Sequence, residues 1–174
     1  MGLPTKKNKN TANNSTQAKH KLIQQINTLK SRISDLTEEI KDDKEKARSF
    51  LKEGKKSDTL IQIRKYKAKE AEVKTVEIMI TNLRSIVIDI ITEERKVMKG
   101  GDRFNINKLK RNLKLPNSSS IEEVADKLIK EIKQESKKAK NLTELAEKRN
   151  YKNLSYNNIK DLELELDLLE LEEL

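Results

Sequence analysis

From Leu22 the apolar residues of this chain run Leu22, Ile26, Leu29, Ile33, Leu36 and Ile40, alternating steps of four and three. That spacing keeps one seam of an α-helix turned toward a partner helix, so it dictates paired helices rather than a sheet. At about 100° per residue, Lys19, Lys30, Lys41, Lys44, Arg48 and Lys52 fall within roughly 80° of one another on the same helix. Asp35, Glu38, Glu39, Asp42, Glu45 and Glu53 fall on another side, with Lys21, Arg32 and Lys46 as exceptions. One helix therefore carries an apolar seam, a basic stripe and an acidic flank.

A second long helix is expected to return along the first. The first should run from about residue 17 to 51, with Gly54 supplying the turn because a left-handed backbone is cheap for glycine. The second should run from about 58 to 99, ended by Gly100 and Gly101. At 1.5 Å per residue such a hairpin would be roughly 50–65 Å long. A short third helix is expected over residues 107–115, stopped before Pro116. Ser120 and Glu123 have capping-box spacing and announce a fourth, with Ile121, Val124, Leu128 and Ile132 on one face. The fold class is all-α: a long antiparallel two-helix hairpin with shorter helices packing back on it and an acidic C-terminal helix. The segments are 1–16, a flexible basic leader; 17–99, the hairpin with its turn near 52–57; 100–150, a linker with regulatory helices; and 151–174, an acidic leucine-rich tail.

Charged residues make up 39% of the 174 and aromatics 3%, which suits long exposed helices better than a large core. With no cysteine, disulfide staples, thiolate catalysis and cysteine-bound zinc are excluded. His20 is the single histidine and reads as a solvated side chain rather than a metal ligand. No nucleophile–base pair or phosphate-cradling glycine loop is present, so neither catalysis nor a cofactor is expected. The most apolar run, residues 85–91, is too short to span a membrane and contains Asp89, and no secretory apolar stretch follows Met1. The chain is expected to stay in the cytoplasm, on the cytosolic side of any membrane it meets.

The net charge of +9 hides an asymmetry: the last fourteen residues carry −7 and the remainder +16. A basic body seeks an anionic partner, and an acidic tail can compete for the same surface, with an attraction that salt would screen. On the second helix, Ile78 and Ile88 lie off the main seam. Together with Met79 and Ile91 they define an expected second interface, used for polymer contacts or for autoinhibition.

Four short motifs follow one another along the chain: Phe50-Leu51-Lys52-Glu53-Gly54-Lys55-Lys56 at the hairpin tip, Lys65-Tyr66-Lys67, Val97-Met98-Lys99-Gly100, and Ser120-Ile121-Glu122-Glu123-Val124. Their order resembles the ESCRT-III, or charged multivesicular body protein, family. With Met1-Gly2, the likeness is greatest to the vacuolar protein sorting twenty (charged multivesicular body protein six) subtype. The resemblance implies a subunit that binds anionic endosomal membrane from its cytosolic face and nucleates or joins a membrane-remodelling polymer. It implies a part in multivesicular body cargo sorting, vacuolar protein transport and membrane scission. The implied partners are anionic lipids, other ESCRT-III subunits in a homo- or hetero-polymer, ESCRT-II, and an AAA ATPase with an MIT domain.

Gly2 is the lipidation candidate, although Lys6 stands where the myristoylation pattern has Ser or Thr. One acyl chain anchors only marginally, so Lys6, Lys7 and Lys9 would add the second signal, at about 1 kcal/mol each near anionic lipid. The expected membrane face joins these three to Lys19, Lys30, Lys41, Lys44, Arg48 and Lys52. In the tail, Asp161, Leu164, Leu168 and Leu171 match the helical spacing that family members use to recruit the ATPase, with Asp167 and Glu172 where those members have bases. A structural coiled-coil adaptor and a basic helical nucleic-acid-binding protein are the competing readings, the second poorly served by five scattered aromatics.

Overall fold

The computed structural model describes residues 7–100, 106–116, 118–148 and 156–172, with side chains from residue 15 onward and, in the last helix, from residue 160. Every element among them is helical: α1 (Lys7–Lys52), α2 (Lys56–Met98), α3 (Asn107–Asn112), α4 (Ile121–Lys148) and α5 (Tyr156–Glu172). Helix α1 begins ten residues before the expected start. Once a helix is nucleated each further residue adds a hydrogen bond, and Ser15 and Ala18 are buried, so the polar leader up to that point is drawn into the helix.

The turn between α1 and α2 lies where the glycine put it. Gly54 has φ +73°, its N–H donates to the Leu51 carbonyl at 3.0 Å, and the Lys55 N–H donates to Phe50 at 2.9 Å. These are the two bonds of a Schellman cap. The same pair recurs after α3, where Lys114 at φ +56° donates to Arg111 and Leu115 donates to Lys110. Gly100, at φ +77°, bonds back to Val97 at the end of α2. Ser120 caps α4, its Oγ accepting from the Glu123 N–H at 3.1 Å.

The chain forms two compact units. The first comprises Met1–Lys30 and Ile78–Glu135, the second Ser31–Glu77 and Ser136–Leu174. In the first, buried residues come from three helices: Leu22, Ile26 and Leu29 of α1; Met79, Leu83, Val87 and Ile90 of α2; and Val124, Ala125 and Leu128 of α4. Antiparallel pairing of α1 with α2 is fixed there by Glu94, which accepts from Ser15 Oγ at 2.6 Å and Lys19 Nζ at 2.7 Å. Lys21 ties α1 to Glu122 and Asp126 of α4. The buried arc of α2 is one-sided, so Met79 belongs to the core (3% exposed) and Ile91 is half-buried, while Ile78 and Ile88 stand out at 62% and 61%. The expected second interface is thus reduced to its two off-seam isoleucines.

In the second unit Leu36 and Ala47 are buried on α1 and Leu60 and Ile63 on α2. Arg32 grips Glu72 with two bonds, from Nε at 2.8 Å and Nη2 at 3.0 Å. The C-terminal half of α4 and the whole of α5 pack on this part of the hairpin, and they do so by different chemistry.

Candidate functional site: an acidic helix seated on the hairpin

Helix α5 carries two rows of leucines at helical spacing, and only one row is used for packing. Leu162, Leu166 and Leu169 are each at most 6% exposed and cluster with Ala47, Leu60, Ile63 and Tyr66, with Ile40 and Leu51 alongside. Leu164, Leu168 and Leu171 are more than half exposed, and Asp161 is exposed as well. The residues expected to meet an ATPase thus lie together on the outer face of the docked helix.

Ion pairs flank the leucine seam. Arg48 Nη2 lies 3.1 Å from Glu172, Lys67 Nζ lies 2.9 Å from Glu165, and Lys56 Nζ lies 3.8 Å from Glu163. The Glu165 hydrogen bond holds the Lys67 ammonium above its ordinary range. Lys44 pairs with Glu70 at 3.3 Å and sits 5.3 Å from the centre of the Tyr66 ring, a cation–π distance. Tyr66 itself is pushed up strongly, first by burial and then by the negative charge of Glu165, Glu70 and Glu172. A groove beside α5 is lined by Lys44, Tyr66, Leu168, Leu169 and Glu172 among others.

Helix α4 is held in this unit by polar groups. Lys69, 6% exposed along its side chain, is 2.6 Å from Asp43, 3.1 Å from Glu147 and 3.3 Å from Glu39. Glu72, which already holds Arg32, accepts from Thr143 Oγ1 at 2.6 Å. Arg64 donates from Nε at 3.0 Å, and from Nη2, to the Ala146 carbonyl. Leu142 and Leu145 meanwhile are exposed. The sequence reading missed Lys69, Arg64 and Glu72. The available signal was their register: Lys69 and Glu72 continue the α2 seam from Ile63 and Tyr66 to Val76, so they had to be buried and therefore paired.

The basic stripe is consequently not a uniform free face. Lys30 and Lys41 are exposed and make no ion pair among the described residues. Lys19, Lys44 and Arg48 are engaged by Glu94, Glu70 and Glu172. Lys52 is exposed and also has a contact. Gly2 and Lys6, and the side chains of Lys7 and Lys9, lie outside the described residues. Among the described residues no helix is long and apolar enough to cross a membrane.

Comparison with protein-family models, with curated proteins and with solved structures gives no match.

Proposed function

We propose that this chain is an ESCRT-III-like subunit that binds anionic membrane through the hairpin and is held back by α5. The observation that carries the reading is the seating of α5: a leucine–acid helix covers the hairpin tip and engages Arg48, a member of the stripe expected to meet lipid. The sorted charge of α1 and the antiparallel hairpin support it, as does the motif order from the hairpin tip to α4. On release of α5, Arg48 loses its Glu172 partner and Lys67 its Glu165 partner, and the positive charge beside Lys41 is less neutralised.

The proposed partners are anionic lipids, other subunits of the same polymer, and ESCRT-II. The proposed site of action is the cytosolic face of endosomal membranes. The exposed row Leu164, Leu168 and Leu171, beside Asp161, is the proposed contact for an AAA ATPase with an MIT domain; in this arrangement the outer row recruits while the inner row holds. Gly2 is the proposed myristoyl acceptor.

Co-sedimentation tests the reading. Full-length protein and a variant lacking residues 156–174 are spun with vesicles containing phosphatidylserine, with neutral vesicles, and with RNA, and the pellets are viewed by negative-stain microscopy. Preferential binding of the truncated chain to anionic vesicles, with filaments, supports it. Equal binding to neutral vesicles, or a preference for RNA, rejects it.

A further inference from the structure

Within the first unit, α2 leaves one strip of its surface exposed. Ile78, Thr81, Ser85, Ile88 and Thr92 follow steps of three, four, three and four, and all five are exposed. None is charged, although 39% of the chain is. The spacing is that of the inward positions of a two-stranded coil over two heptads, about 21 Å of helix. The polar groups in the strip need not face a partner: Thr92 Oγ1 donates to the Ile88 carbonyl of its own helix at 2.8 Å, which leaves the methyl group outward.

Two charges border the strip. Arg84 stands on one flank, just before Ser85, and Asp89 on the other, just after Ile88. Both are exposed, and neither has an ion-pair partner among the described residues. They are five residues apart, the separation at which flanking residues of two parallel, in-register helices meet across the seam. With two copies side by side, each Arg84 faces Asp89 of the other copy. An antiparallel pair would instead oppose Arg84 to Arg84.

We infer that α2 pairs in parallel with α2 of a second copy of this chain through Ile78, Thr81, Ser85, Ile88 and Thr92, with Arg84 and Asp89 setting the direction. The inference deepens the proposed reading by naming the contact of an assembling subunit, and rests on that part of it alone. The contact is short and holds few apolar atoms, so it is transient in dilute solution and multiplied where copies are concentrated.

The chain has no cysteine, which makes the pairing directly readable. Full-length Ser85→Cys is oxidised without lipid and compared with Asn141→Cys, at an exposed position on α4. Ser85→Cys should form disulfide-linked dimers several-fold faster than the control. Adding Asp89→Arg should slow it toward the control, and Arg84→Asp together with Asp89→Arg should restore it. The inference is overturned if Ser85→Cys dimerises no faster than Asn141→Cys, if the exchanged pair fails to rescue, or if mixed Ile78→Cys and Ile88→Cys chains cross-link faster than Ile88→Cys alone, the antiparallel outcome. Since no vesicle is present, failure here leaves the lipid reading standing, and failure of vesicle binding leaves this result standing.

Discussion

The Lys69 ammonium lies 2.6 Å from the Asp43 carboxylate, and both side chains are at least nine-tenths buried. Glu147 of α4 completes the contact at 3.1 Å. A buried pair of this kind gives little net stability over a hydrophobic replacement, but losing one member strands the other, which costs about 3–5 kcal/mol. Lys69→Met should therefore lower the free energy of urea unfolding by about that amount, while Lys69→Met with Asp43→Leu should recover most of it. An equal loss in both variants would mean that the shape of the site matters rather than its charge.

The same contact has a pH signature on the alkaline side. Burial alone would lower the Lys69 pKa, but hydrogen bonds to Asp43 and Glu147, reinforced by their charges, raise it well above 10.5. The unfolded chain gives up this proton first, so the contribution is fully present below pH 10.5 and disappears as pH climbs through the raised folded value. Between about pH 9 and about pH 12, on either side of the ordinary lysine value of about 10.4, thermal stability of Lys69→Met should thus fall less than that of the natural protein.

Docking of α5 rests more on leucines than on charge. Three buried leucines stabilise by about 1.5–3 kcal/mol each, whereas exposed ion pairs such as Arg48–Glu172 give about 0–1 kcal/mol and fade with salt. The salt-screened attraction expected from the acidic tail is accordingly the smaller contribution. Leu166→Ala should weaken docking by about 2–5 kcal/mol. Raising sodium chloride from about 0.1 to 1 M should have a much smaller effect, because only the screened pairs respond. Hydrogen exchange of the α5 backbone amides, followed by mass spectrometry, reads both.

Two caps predict opposite signs for glycine exchange. A Cβ at Gly54 would touch nothing, so Gly54→Ala carries only the backbone cost of a left-handed residue, about 1 kcal/mol of lost stability. Lys114 occupies the same backbone region with a side chain, and Lys114→Gly should leave stability unchanged or raise it by up to about 1 kcal/mol. Chemical denaturation curves with matched slopes test both.

The hairpin was legible because its signals are local and repeated: the Leu22–Ile40 seam, Gly54 at the turn, Ser120 at the cap. The tail was less so. From Asp161 to Leu168 acids and leucines alternate, a pattern of period two that would suit a strand, yet Leu and Glu are strong helix formers and the segment is helical. Leucines then fall on most sides of α5, and which row is buried depends on the surface it meets, not on α5. The Lys69 cluster was hidden for a related reason, since it joins α1, α2 and α4 across more than a hundred residues of chain. The apolar wheel of α2 is crowded enough to place Met79 on the second face, but packing selects the arc containing Leu83 and Val87 and buries it.

Leu166→Asp in the full-length chain undocks α5 while leaving every base on the hairpin in place, and so tests whether the seated helix restrains membrane binding. Co-sedimentation with phosphatidylserine vesicles at physiological salt should rise several-fold over the natural protein, with circular dichroism still helical. Binding that stays the same or falls would contradict the restraint.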